Sequence, residues 1–401
     1  MDLLIARPLG LMVVAVLVAI IARRLRLPYT VGLVLAGTGL AFSQLDVGFR
    51  LTHDVIFDII LPPLLFEAAI NIPWHELRRD LVPVLVFSVL GVVISAAVVT
   101  GGMLWLASWP LASALLFGVL IAATDPVAVI AMFKDSGIVG RLRLLVESES
   151  LFNDGVAAVL FGLAFAWSEG HADGWLFAGQ SLMKVAGGGI ALGILVGGVG
   201  ILIAGRTADH IVEIAVTGIA AYGAFLAAEY LQLSGVLATV SAGLLMGSMD
   251  IRRGRQRFGF SPRGRDLILE FWEFAAFIAN SLVFLLIGLT LAKVPFSSLG
   301  LAPLAISIAL VLLGRAITVY PLSAAFGRSR WSIDIGQQHV LWWGGLRGAL
   351  ALALSLSLPD DIPLRNEIVI ATFAVVGFSV VVQGLTMPGL LRLLKLLPTT
   401  H

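Results

Sequence analysis

Long apolar runs separated by short polar stretches set the pattern of this chain. A membrane-crossing helix needs about 20 largely apolar residues. Runs of that kind fall at 4–22, 29–45, 55–71, 81–107, 111–133, 145–167, 178–204, 211–231, 234–249, 268–292, 299–325, 338–358 and 367–391. They predict an all-α membrane protein of about 13 transmembrane helices. Linkers are brief, so no soluble domain is expected between spans. The longest, 250–266 (DIRRGRQRFGFSPRGRD), reads as a basic cytoplasmic loop.

Composition agrees. Of the 401 residues, 59% are hydrophobic and 13% charged, and mean hydropathy is +1.01. A soluble domain carries about a quarter charged residues, so a water-soluble fold is excluded. The 43 Gly fit packed membrane helices, where small residues let backbones approach. The chain has no Cys, which removes disulfide frameworks, thioether haem attachment, Fe–S clusters and thiol catalysis. A net charge of +1 gives no hint of nucleic-acid binding.

Lys and Arg distribution sets the orientation. Loops after odd-numbered spans, with the C-terminus, hold 19 of them; the N-terminal end, counting Arg7 at the start of the first span, and the even loops hold 4. The expected topology therefore has the N-terminus outside and the C-terminus cytoplasmic. The positive charges of the first span follow its apolar run, unlike a cleaved signal peptide.

Two spans carry interruptions. The fifth contains Ala-Thr-Asp-Pro at 123–126. Pro126 removes a backbone donor, and Asp125 before it is pushed toward extended backbone. The twelfth contains Trp-Trp-Gly-Gly-Leu-Arg-Gly at 342–348. The breaks lie seven spans apart, an odd offset, so their helices run in opposite directions. That is the pattern of inverted repeats whose discontinuous helices cross and form an ion site. Gly in a span is otherwise a packing residue; an Asp-Pro break is harder to explain by packing.

Ionisable residues deep in spans cost about 2.5–3.5 kcal/mol each on insertion scales and are usually functional or paired. Here they are Glu67, Asp125, Glu149, Asp154, Arg315 and Arg347. Four acids against two bases leave an excess of negative charge that a bound cation or protons would relieve. In the sixth span, Ser150 and Asp154 are four apart and share a helix face. Glu149 and Asp154 are five apart, about 140° around the helix. A natural division has Asp154 and Ser150 facing the ion and Glu149 facing a buried Arg. Burial disfavours the charged form of a carboxylate, which suits a group that exchanges a proton and not one with a structural charge. Glu147, one turn after Arg143, reads as a rim pair or funnel charge. In the third span, Pro62 and Pro63 are expected to bend the helix and bring Glu67 toward neighbours; the plainer reading is a kinked packing helix. Asp58, Glu213, Glu229, Glu270, Glu273 and Glu367 lie near span ends, where solvation is the default. The six His show no metal-ligand spacing, and no nucleotide-binding or hydrolase motif occurs.

The segments LLPPLLFEAAI (60–70), ATDPVAV (123–129), ESESLFNDGVAAVLF (147–161) and GGLRGALALAL (344–354) resemble the signatures of monovalent cation:proton antiporters of the NhaP/NHE type. Their order and spacing agree, and the resemblance covers nearly the whole chain. It implies a homodimer in the cell inner membrane, in contact with lipids and monovalent cations, with no cofactor and no enzymatic activity. A dimerisation domain would span about 1–75 and 175–292, and a mobile ion-binding core about 81–167 and 299–395. Asp154 resembles the carboxylate that binds either cation or proton. Ser150 and the Thr124 carbonyl look like further ligands, and Glu67 would approach through water. Asn153, Asp125 and Pro126 would support the crossing, with Asp125 facing half-helix N-termini. Glu149 looks like the partner of a buried Arg: Arg315, in Gly-Arg-Ala of the eleventh span, is the first choice, and Arg347 is the second candidate or a support for the crossing.

Asn153 beside Asp154 leaves one titrating carboxylate at the site. The resemblance then implies one-for-one, electroneutral exchange of Na⁺ or Li⁺ for H⁺ by elevator-type alternating access. K⁺/H⁺ or mixed-cation exchange is the alternative, since ligand type alone does not separate these ions. An intramembrane aspartyl protease using Asp125 and Asp154 is a remote alternative; its usual Tyr-Asp and Gly-x-Gly-Asp segments are absent.

Overall fold

A computed structural model of the chain describes residues 2–25, 27–42, 51–170, 179–207, 209–248 and 260–396. Most of the basic loop 250–266 lies outside the described residues. Within them, the apolar runs fall on helical backbone apart from the interruptions in the fifth and twelfth, and no strand occurs among the described residues. In chain order the helices are α1 (Asp2–Leu25), α2 (Tyr29–Phe42), α3 (Leu61–Asn71), α4 (Trp74–Leu85), α5 (Gly91–Leu106), α6 (Leu111–Leu120), α7 (Val127–Asp135), α8 (Arg141–Ser168) and α9 (Gly188–Ala204). They continue as α10 (His210–Tyr230), α11 (Gly235–Ser248), α12 (Pro262–Leu291), α13 (Leu301–Ala325), α14 (Ile335–Trp343), α15 (Ala349–Leu356), α16 (Arg365–Phe378) and α17 (Gly384–Leu393). Seven helical stretches of the described residues are long and apolar enough to cross a membrane, and four shorter apolar helices accompany them.

Helix ends follow local chemistry. Asp209 caps α10, its carboxylate accepting from Ile211 N at 2.9 Å. Gly140 (φ +86°) and Gly300 (φ +82°) supply left-handed turns just before α8 and α13. Among the described residues, four wide i→i+5 turns occur, at Val55–Ile60, Val86–Leu90, Met183–Gly187 and Ser379–Gln383; such turns are frequent at functional sites. The first leads straight into α3, so Pro62 and Pro63 sit in its first turn, the position that lacks intrahelical donors anyway. The expected mid-span bend at these prolines is therefore a wide turn before them.

The chain packs into two compact units, with boundaries inside α4, α8 and α12. One comprises 57–82 and 154–279. Its centre is α11, gripped by small residues on both sides. On α9, a Cβ at Gly193 would lie 2.8 Å from the Ala238 carbonyl carbon, and one at Gly197 3.1 Å from Ala242 Cα. On α11 itself, a Cβ at Gly247 would lie 2.9 Å from the Ile70 carbonyl carbon of α3. This is small-residue packing, in which backbones touch. Trp272 Nε1 donates to Thr217 Oγ1 at 2.9 Å and its ring meets Phe66. Glu213, whose place near a span end points to solvation, is instead 0% exposed. Its carboxylate accepts from Ser261 N and Ser261 Oγ, both at 3.0 Å, at the N-terminus of α12, where negative charge is favoured.

The other unit comprises 1–56, 83–153 and 280–401. Here α2 packs on the end of α12, with Thr38 Oγ1 donating to Gly288 O at 3.2 Å. Helix α5 lies against α13, where Thr318 Oγ1 donates to Gly91 O at 3.3 Å. Both interrupted helices belong to this unit.

Candidate functional site

The fifth span is two half-helices, α6 and α7, with non-helical backbone at 123–126 between them. The twelfth is α14 and α15, with non-helical backbone at 345–348. Broken helices at membrane depth leave orphan backbone groups that must find partners, and most of the site's chemistry consists of those partners.

The breaks meet backbone to backbone: Asp125 N donates to Leu346 O at 2.7 Å. The Asp125 carboxylate accepts from Val127 N at 3.0 Å, the start of α7, and from Ala349 N, the start of α15. One negative side chain thus serves two positive helix ends. Arg347 does the converse. It is 1% exposed, and its Nη1 donates to Ala122 O and Ala123 O, both at 2.7 Å, beyond the C-terminus of α6. Pro126 stands directly before α7.

Helix α8 brings the next layer. Ser150 and Asn153 are each 1% exposed and Thr124 4%. Asn153 brackets Thr124: its Nδ2 donates to Thr124 Oγ1 at 2.6 Å, and its Oδ1 accepts from Thr124 N at 3.2 Å. Ser150 Oγ donates a short hydrogen bond to Thr124 O. All three polar groups of Thr124 are therefore held by one face of α8. If the Ser150 hydroxyl turns its hydrogen away, Ser150 Oγ and Thr124 O both present lone pairs to a cation, the oxygen donors a hard cation prefers. Asp154 lies one turn beyond Ser150 on the same helix and is partly exposed.

Glu149 points elsewhere. Its Oε1 accepts from Arg315 Nη1 at 2.5 Å and its Oε2 from Arg315 Nη2 at 2.7 Å, a bidentate pair. Arg315 Nε and Nη2 also donate to Leu341 O at 3.1 and 3.0 Å, so the pair anchors the C-terminal end of α14. Of the two arginines, Arg315 meets Glu149 and Arg347 lies in the crossing. The carbonyl of Glu149 accepts from Ser88 Oγ at 3.0 Å, presented by the wide turn at Val86–Leu90.

The glycines of the twelfth span have a specific task. A Cβ at Gly345 would lie 2.6 Å from Arg315 Nε, and one at Gly348 would overlap the Asp125 carboxylate. They clear space for two charged side chains as well as loosening the helix.

Glu67 lies in the unit formed by 57–82 and 154–279. Asn71 Nδ2 donates to its carbonyl at 2.9 Å and its Oε1 at 3.0 Å. Glu147 pairs with Arg143 at 3.6 Å. No group of three or more His, Cys, Asp or Glu is arranged to hold a metal among the described residues.

Two side chains at the crossing escape the sequence signatures. Ser379 Oγ accepts from Arg347 N at 3.0 Å, and Gln383 Nε2 donates to Trp343 O at 2.8 Å. They are 1% and 3% exposed. The available signal was two polar residues four apart inside the apolar run 367–391.

The profile of the family described as "Sodium/hydrogen exchanger, transmembrane" matches residues 12–393. The Na(+)/H(+) antiporter ApNhaP of Aphanothece halophytica is 41% identical over 93% of this chain and 70% of its own length. The Na(+)/H(+) antiporter NhaH of Halobacillus aidingensis is 33% identical, over 96% of each chain. Among solved structures, the sodium proton antiporter MjNhaP1 of Methanocaldococcus jannaschii superposes with a TM-score of 0.76 at 20% identity, covering 98% of this chain and 100% of that one. At that identity the likeness speaks for the fold.

Proposed function

Because the chain belongs to the sodium/hydrogen exchanger family, we propose that it exchanges Na⁺ or Li⁺ for H⁺ across the membrane, cation and proton competing for Asp154. The observation that carries this reading is the arrangement on α8. Ser150 and Asn153 fix Thr124 within an interrupted helix, and Asp154 stands one turn beyond Ser150. Ser150 Oγ and the Thr124 carbonyl complete the ligand set. Glu67 enters the reading from the family resemblance alone.

Charge arithmetic supports the cycle. Asp125, Arg347, Glu149 and Arg315 together are neutral. Leaving aside Glu67, whose carboxylate accepts from Asn71, ionised Asp154 adds one negative charge to that set, and one Na⁺ or one H⁺ cancels it. The neutralised site crosses an apolar barrier at low cost; the charged empty site does not, which suppresses leak. Asn153 carries no titrating proton, so the exchange is one for one and electroneutral. The rate falls at low pH, where protons occupy Asp154, and at high pH, where proton supply is short.

On this reading the protein is a homodimer and works as an elevator. The moving set is approximately 81–167 with 299–395, and the static, dimerising set approximately 1–75 with 175–292. These sets are defined by motion and are tested by cross-linking across the predicted sliding surface during turnover.

The test is proton flux in proteoliposomes holding a pH gradient. Addition of Na⁺ or Li⁺ should dissipate the gradient. An imposed membrane potential should leave the rate unchanged, and potential-driven transport would contradict electroneutrality. A response to K⁺ equal to that for Na⁺ would move the assignment to mixed-cation exchange, and no response to any cation would remove it.

A further inference from the structure

We propose that Ser379 and Gln383 are positioning residues for ion exchange: together they replace one of the helical hydrogen bonds that the second interruption removes. In a continuous helix Arg347 N would donate to Trp343 O, four residues back. Here the backbone between them is non-helical. Gln383 Nε2 satisfies the acceptor half of that bond, donating to Trp343 O at 2.8 Å. Ser379 Oγ satisfies the donor half, accepting from Arg347 N at 3.0 Å. The break therefore keeps a fixed length and register without being helical.

A buried helical Ser commonly bonds back to its own helix, and Ser379 Oγ lies 3.0 Å from Val376 O. That habit does not account for its contact with Arg347. The hydroxyl has one hydrogen to give, whereas the bond from Arg347 N uses its lone pair. Nor does it account for Gln383, whose donor reaches a different helix. Both side chains come from one wide turn, Ser379–Gln383, four residues apart. They hold the backbone on either side of Leu346, whose carbonyl receives Asp125 N at 2.7 Å, and they hold Arg347 itself, whose guanidinium reaches Ala122 O and Ala123 O. Thr124 is the next residue. The register of the second break thus sets the position of the carbonyl offered to the cation.

This inference rests on the reading of Asp154, Ser150 and Thr124 as the ion site. The experiment is Na⁺/H⁺ exchange in proteoliposomes by Ser379→Ala, Gln383→Met and the pair combined, against Ser355→Ala as control. Ser355 is also fully buried and back-bonded, its Oγ donating to Leu352 O at 2.9 Å, and it touches no break. Loss of one buried hydrogen bond is expected to raise the half-saturating Na⁺ concentration about three- to tenfold. The maximal rate per folded protein should change less than about twofold. The two halves act as a unit, so the double variant should fall short of the product of the singles, and Ser379→Thr should restore affinity. Unchanged half-saturation in both single variants would overturn the inference, as would an equal shift in Ser355→Ala. If Ser379→Ala yields no folded protein, Gln383→Met carries the decision by the same criterion. Exchange surviving in Asp154→Asn would remove the underlying reading; exchange lost there, with wild-type half-saturation in the Ser379 and Gln383 variants, would remove this inference alone.

Discussion

Glycine clusters serve both units of the chain, and to different ends. Between α9 and α11, Gly193 and Gly197 lie against Ala238 and Ala242, so two intact helices touch through their backbones. In the break between α14 and α15, Gly345 and Gly348 lie against Arg315 and Asp125, so the missing side chains admit two charges. One cluster is a packing surface and the other is a receptacle. The same residue type supports stability in one place and electrostatic organisation in the other, and substitution should separate the two.

The largest effect is expected where the receptacle is emptied of one partner. Arg315→Met leaves Glu149 buried without its bidentate guanidinium and frees Leu341 O; removing one member of a buried pair costs about 3–5 kcal/mol. Loss of monodisperse protein in fluorescence-detected gel filtration checks this, and Glu149→Gln in the same chain should recover much of it. Next is Gly348→Ala. Its φ of −144° is not left-handed, so the cost falls on Asp125: the new methyl meets its Cβ as well as its carboxylate, and Asp125 must leave the N-termini of α7 and α15 with a shift of the backbone at the first break. Exchange per folded molecule should drop at least about tenfold, equivalent to about 1.4 kcal/mol.

Gly193→Ala is the counterpart in the packing surface. Overpacking should cost about 1–3 kcal/mol of stability, read as a lower thermal midpoint, while half-saturating Na⁺ stays at the wild-type value. The smallest effect carries the opposite sign. Nothing lies within 4 Å of a Cβ at Gly198, so Gly198→Ala should gain up to about 1 kcal/mol from helix propensity alone. The comparison breaks if Gly193→Ala shifts Na⁺ affinity or if Gly348→Ala changes stability and leaves transport intact.

These contrasts show what the sequence could and could not convey. The first interruption was legible because Pro126 and the residue before it obey local steric rules. So was the clustering of charge on α8, since helical spacing separates the faces of Asp154 and Glu149. The choice of Arg315 over Arg347 as the neighbour of Glu149 was not legible: both are lone arginines in apolar runs, and only packing distinguishes them. The glycines of 344–348 read as helix weakening because their clearance role depends on side chains from α6–α7 and α13. Ser379, Gln383 and Glu213 gave weak signals for the same reason: each acts on a backbone group distant in sequence. Glu213 in particular sits where interfacial solvation is the ordinary outcome, and its burial follows from Ser261 folding over it.

Competition between Na⁺ and H⁺ at Asp154 is the centre of the proposed cycle. The most direct test is the half-saturating Na⁺ concentration as a function of pH, for the wild type and Asp154→Asn. Competition predicts a half-saturation that rises by up to about tenfold per pH unit as the medium is acidified, and no exchange in the variant. A half-saturation independent of pH, or full exchange by Asp154→Asn, would contradict it.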